Sequence, residues 1–169
     1  MQQTTCLLNT FQLLFMALFL KSPIQIYQHM SREQLDTLFK QYENSFDKMD
    51  IKTLSGFCAD PFMSAGPAGM VTQSKKEFEA KADKFVRFYR SVGRNSAKII
   101  SKRIIPISEC YSMVVVRWGV TFEKTGSRPV EFDITYIVQQ TEEYPKIILL
   151  ISHEDEIVVL KKNGLRPQL

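Results

Sequence analysis

The chain has 169 residues, 44% of them hydrophobic and 24% charged, with a net charge of +4. That length suits one domain with a short appendage, and 12 Phe and 6 Tyr can fill a core without disulfides or metal. Cys6, Cys58 and Cys110 are odd in number and widely spaced, with no CxxC pair. They exclude a disulfide framework or a cysteine zinc site and fit a reducing, cytoplasmic setting.

Residues 1–29 read as an apolar leader. The apolar run over residues 7–20 is broken by Asn9, Thr10 and Gln12 and falls short of the ~20 residues a spanning helix needs. Gln2 to Thr5 ahead of it and Lys21-Ser22-Pro23 behind it match a secretory signal poorly. Three readings stay open. The leader is dispensable or non-native, since Met30 directly precedes the folded pattern; or it is an export or membrane-associated segment; or it is an extra helix docked on the domain. Membrane association is expected only if residues 6–20 are retained.

Residues 30–164 read as one α+β domain, followed by a tail over residues 165–169. Ser31-Arg32-Glu33-Gln34 is a capping box, and Leu35, Leu38, Phe39, Tyr42 and Phe46 follow at helical spacing. Asp50 caps a second, short helix with Ile51, Leu54 and Phe57 on one side. Gly66-Pro67-Ala68-Gly69 is the turn of a small hairpin. A second capping box, Ser74 to Glu77, opens a third helix with Phe78, Ala82, Phe85, Tyr89 and Val92 inward, stopped at Gly93. Its charges suggest i,i+4 pairs Glu77–Lys81 and Asp83–Arg87.

Beyond Gly93 the apolar period changes to alternation. Four strands are predicted over residues 97–107, 111–123, 129–140 and 146–153, joined by short connections and therefore antiparallel. Ser112, Val114, Val116, Trp118, Val120 and Phe122 share one face. Val130, Phe132, Ile134, Tyr136 and Val138 form the matching face of the next strand, with Arg117 and Asp133 opposite. The last strand is apolar on both sides, as for a central strand. Its odd positions Ile147, Leu149 and Ile151 lead to His153, which parity turns toward the core. Residues 154–163 can form a terminal helix ending at Gly164.

The order of elements resembles the nuclear transport factor 2-like superfamily, in particular its SnoaL-like branch. Phe57-Cys58-Ala59-Asp60-Pro61-Phe62, the Trp118 strand and Lys146-Ile147-Ile148-Leu149-Leu150-Ile151-Ser152-His153 carry the likeness. The resemblance implies a cystatin-like roll: a strongly curled, cone-shaped mixed or antiparallel sheet with three N-terminal amphipathic helices over an apolar pocket. It also implies a homodimer formed through the sheet. Members include isomerases, dehydratases and cyclases as well as non-catalytic binding and dimerisation modules, so the fold implies a pocket and not a reaction.

No Walker loop, dinucleotide fingerprint, HExxH or serine elbow is present, and neither a metal nor a cofactor is expected. Basic residues gather between Lys75 and Arg103 and acids between Glu131 and Glu156. The aromatics of the basic stretch keep core spacing, which argues against nucleic acid. Asp60 and His153 are the candidate acid/base residues, the carboxylate before a proline at the pocket mouth and the imidazole for proton exchange near neutrality. Each has a plainer alternative, a turn or cap for Asp60 and a hydrogen-bonded structural histidine for His153. Trp118, Tyr136, Phe62 and Tyr89 are the candidate ligand-binding residues, with a small apolar or aromatic molecule as ligand. Binding of an unknown ligand is the leading expectation. An acid/base enzyme of the same fold and a non-catalytic interaction module are the alternatives.

Overall fold

The computed structural model describes residues 31–141 and 143–165. The leader and residues 166–169 lie outside these, as do the expectations placed on them. Two helices come first, α1 (Arg32–Asp47) and α2 (Ile51–Gly56). The hairpin β1 (Cys58–Gly66) and β2 (Gly69–Gln73) follows, then α3 (Lys75–Ala80) and α4 (Ala82–Ser91). Three long strands and one shorter one then alternate with tight connections: β3 (Arg94–Pro106), β4 (Tyr111–Phe122), β5 (Val130–Gln139) and β6 (Lys146–Ser152). Helix α5 (Glu156–Lys162) closes the order. Among the described residues no helix is long and apolar enough to cross a membrane.

Local chemistry sets the helix ends. Both capping boxes form: Ser31 Oγ accepts from the Gln34 N–H and Ser74 Oγ from the Glu77 N–H, while Gln34 and Glu77 reach back to the serine amides. Asp50 caps α2 through the Thr53 N–H. The single third helix expected from the sequence is two. At Lys81 the chain tightens to a three-residue closure, Lys81 N–H to the Phe78 carbonyl, and the Lys81 ammonium turns to Gln73 Oε1 at 3.0 Å. The Glu77–Lys81 pair therefore does not form, since Glu77 is taken by its cap. Asp83–Arg87 is also absent among the described ion pairs.

The sheet has six strands in the order β2-β1-β6-β5-β4-β3. It is mixed, because β1 runs parallel to β6 while every other neighbouring pair is antiparallel. As the two-sided apolar pattern predicted, β6 is internal. The sheet is open, with β2 and β3 as its edges, and is not the strongly curled cone the resemblance implied. Among the described residues two helices precede it, and α3 and α4 fall between β2 and β3, where they cover the inner face together with α1.

The core lies between the helices and that inner face. Leu35, Phe39 and Leu38 of α1 and Ile51 and Leu54 of α2 meet Val114, Val116, Trp118, Val120 and Phe122 of β4, all buried. Each such side chain contributes about 1.5–3 kcal/mol by leaving water. The core also takes in the residue after α5. Gly164 adopts φ 74°, the Gly164 N–H donates to the Lys161 carbonyl, and the Leu165 N–H donates to the Leu160 carbonyl. This is a Schellman closure, which folds Leu165 back onto the helix. Leu165 is 3% exposed, so the domain extends past the expected boundary at Gly164.

Candidate functional site

Between the helices and the inner face lies a cavity of about 260 Å³. Its floor is β4 and β5, where alternation brings Trp118, Val120, Phe132, Ile134 and Tyr136 to one side. Tyr42 and Phe46 of α1 and Phe78, Phe85 and Tyr89 of α3 and α4 supply the wall above it. The rings interlock edge to face: Phe46 on Trp118 at 5.1 Å, Phe85 on Tyr89 at 4.9 Å and Tyr42 on Tyr136 at 5.6 Å between centroids. Such contacts hold aromatic walls rigid. The floor's two polar groups satisfy each other, since Trp118 Nε1 donates to the Tyr136 hydroxyl at 3.1 Å. Burial pushes the Tyr136 and Tyr42 phenols well above their ordinary pKa, so both stay protonated.

Polar groups gather where β6 runs into α5. Ser152, Glu154 and Glu156 border the cavity there, with Ser64 of β1. Asp155 caps α5 through the Val158 N–H, which fixes Glu156 as its first residue. Glu156 is exposed as a residue, yet its carboxyl borders the cavity and accepts a hydrogen bond from the Tyr89 hydroxyl. Desolvation at this inward position raises the carboxyl's pKa above its ordinary value, and Asp155 adds to the rise. The Tyr89 hydrogen bond and Arg94 oppose it. Burial first and then Glu156 raise the Tyr89 phenol.

Arg94 stands behind this corner. Its guanidinium donates to the Phe46 and Asp47 carbonyls at 2.8 and 3.1 Å, closing the end of α1, and lies over the Phe46 and Tyr89 rings at 4.8 and 5.4 Å. Its Nε is buried without a partner among the described residues.

The residues anticipated from the sequence divide. Trp118, Tyr136 and Tyr89 line the cavity, whereas Phe62 is buried behind the wall, stacked edge to face on Phe78 at 5.5 Å. Asp60 is exposed and outside the cavity. Its Oδ1 accepts the Lys75 N–H at 3.2 Å, a polar contact at the start of α3.

His153 is on the opposite face of the sheet. The reason is one extra residue in β6: Val138 pairs with Ile147 but Ile137 pairs with Leu149, so Ile148 is inserted and the parity reverses. Leu150 and Ser152 thereby face the cavity, while Glu154, exposed in the turn after β6, borders both the cavity and the outer depression. His153 instead joins Thr135, with Nε2 2.7 Å from Thr135 Oγ1, in an outer depression shared with Arg117, Glu131 and Asp133. Arg117 and Asp133 form a two-pronged ion pair there, both contacts 2.9 Å. The Arg117 bond lowers the Asp133 pKa. The constellation of Asp60, Trp118, Tyr136 and His153 around one cavity is therefore not formed.

Glu156 was missed from the sequence. An acid at the first turn of a helix, after an aspartate cap, reads as a dipole complement, and nothing local shows that this one turns inward. Among the described residues no group of three or more His, Cys, Asp or Glu side chains could hold a metal ion.

Comparison with known proteins agrees with this architecture. Residues 32–155 match the family described as NTF2-like protein (DUF6841). No curated protein matches the chain. Among solved structures, an NTF-2 like protein of unknown function from Shewanella oneidensis MR-1 aligns with a TM-score of 0.60 at 18% identity, covering 72% of this chain and 98% of that one. An NTF2-like protein with a cystatin-like fold from Novosphingobium aromaticivorans aligns with a TM-score of 0.61 at 11% identity, over 89% and 92%. A candidate scytalone dehydratase from Novosphingobium aromaticivorans DSM 12444 aligns with a TM-score of 0.54 at 14% identity, over 71% and 80%. At these identities the likeness is one of fold.

Proposed function

The chain belongs to the NTF2-like family DUF6841, and from that premise we propose that it binds a small, largely apolar molecule in the cavity over Trp118 and Tyr136. One observation carries the reading. The cavity has rigid aromatic walls and a few polar groups converging at one corner, the usual division of labour in a ligand site. Its volume of about 260 Å³ lies just under the ~300–1,000 Å³ of sites for drug-sized ligands, which limits the occupant to one or two rings. Native mass spectrometry of the purified chain tests this directly. A bound small molecule is expected in the wild type and is lost in Ile134→Trp, which fills the floor. An identical spectrum for both proteins, with no adduct, counts against the reading.

Tyr89 and Glu156 support a second reading, an acid/base enzyme of the same fold. A carboxyl with a raised pKa, hydrogen-bonded to a buried phenol inside a cavity, is placed to exchange a proton with a bound substrate. In this reading Glu156 takes the role that the sequence suggested for Asp60 and His153. Glu156→Gln then abolishes turnover without lowering the melting temperature, whereas retained turnover removes Glu156 from the chemistry.

The outer face is proposed to pair with a second copy. Met113 and Val115, half-buried, flank Arg117 on one open face, and an isologous contact would cover them. Light scattering on the wild type and on Val115→Glu checks this. A dimer that becomes a monomer in the variant is expected, and a monomeric wild type refutes it.

A further inference from the structure

The cavity's polar corner has a definite chemical character. Among the described residues its border carries no Lys, Arg or His. Its polar groups are the carboxyl of Glu156, that of the exposed Glu154 at the rim it shares with the outer depression, and the hydroxyls of Ser64, Ser152 and Tyr89. Two of these are already engaged: Ser64 Oγ accepts from Gln73 Nε2 at 3.4 Å, and the Tyr89 hydroxyl donates to Glu156. What is left for a guest is a set of acceptors bearing negative charge, set against aromatic rings whose faces are themselves electronegative. Arg94 does not line the cavity; its two terminal nitrogens donate to the Phe46 and Asp47 carbonyls behind the wall. A carboxylate or phosphate guest would meet like charge, with only the Ser64 and Ser152 hydroxyls as donors to offset it.

We infer that the cavity selects organic cations: a compact aromatic or branched hydrocarbon body carrying a protonated amine. The inference rests on the binding reading above and specifies its ligand class. The body fills the space over Trp118 and Phe46, and the ammonium donates to the carboxyls of Glu156 and Glu154 and to Ser152 Oγ. An ammonium has three donors, and the acceptors come from the end of β6, the turn after it and the start of α5. The rings of Phe85 and Tyr89 add cation–π attraction, which strengthens when the cation is desolvated.

A matched set of probes tests the inference on the full chain. 2-Phenylethylamine, propylbenzene and 3-phenylpropanoate share one body and differ in the head: cationic, neutral and anionic. Trp118 is the sole tryptophan and lies in the cavity floor, so its fluorescence reports occupancy, with thermal shift as a second readout. The amine is expected to bind at least about tenfold more tightly than propylbenzene, the scale of one good desolvated charge contact, and the carboxylate not at all in the same range. Glu154→Gln with Glu156→Gln, isosteric changes that keep an acceptor for Tyr89, should erase the amine's advantage and leave propylbenzene affinity within about threefold. Equal or tighter binding of propylbenzene or 3-phenylpropanoate overturns the cation assignment while leaving the binding reading standing. An amine advantage that survives in the double variant overturns the assignment of the carboxyls. If none of the three probes binds by either readout, the cation assignment and the binding reading fall together.

Discussion

The two faces of the sheet come from the same strands, yet they have become different materials. On the inner face of β4 every position from Ser112 to Phe122 is buried at alternate residues, and its polar atoms are matched, Trp118 to Tyr136. The outer face carries Met113, Val115 and Thr121 half-buried, Arg117 exposed, and a cross-strand ion pair to Asp133. A dry face makes each side chain's shape matter, because a lost contact cannot be replaced by water. A wet face lets water stand in, so its ion pairs add little. The function proposed above is placed on the dry face, where the cavity is a gap in the packing.

That contrast can be broken by four measurements. Trp118→Ala should cost about 3–5 kcal/mol in urea unfolding, since it removes the largest buried side chain and enlarges an existing void. A loss under 1 kcal/mol would mean that the inner face is not the core. Tyr136→Phe is the next step down. It leaves Trp118 Nε1 buried without an acceptor, for about 1–3 kcal/mol, and the cost should vanish in Trp118→Phe/Tyr136→Phe when referred to Trp118→Phe alone. If the penalty persists there, the hydrogen bond is not its source.

Glu156 should give the cavity a pH signature of unusual sign. Its folded pKa is raised above the ordinary 4.5, so the native state holds the proton more tightly than the unfolded chain. Stability is therefore full below 4.5 and falls as pH rises through the folded pKa. Asp47 behaves oppositely. Burial raises its pKa, but the Ala97 N–H and Lys98 outweigh that and leave it below 3.8. Its contribution is full above 3.8 and is lost as pH falls through the folded value. Denaturant titrations from pH 4 to 8 should show the falling limb in the wild type and a flat one in Glu156→Gln. Coincident curves would place the carboxyl in water.

Arg117→Ala is the smallest effect expected. At concentrations where the chain is monomeric, the melting temperature should not change measurably, because the pair with Asp133 is exposed on its arginine side. A loss as large as that of Tyr136→Phe would show the outer face to be covered after all.

What the sequence determined by itself follows from local physics. The caps at Ser31, Asp50 and Ser74, the stop at Gly93 and the hairpin turn at Gly66 to Gly69 all depend on groups within a few residues of one another. The inner stripe of β4 and its matching stripe on β5 depend on an alternation that no bulge interrupts between those two strands. What only the tertiary structure decided is where local rules compete with long-range ones. Ile148 as an extra residue in β6 is set by pairing to β5 and to β1 at once, and it sends His153 outward and Ser152 inward. Lys81 leaves Glu77 for Gln73 of the hairpin. Glu156 becomes a cavity group only because α5 docks against Tyr89 of α4, 67 residues earlier in the chain. Periodicity records which side of a strand or helix is apolar. It does not record an inserted residue or a partner on a distant element, and on both of these the site depends.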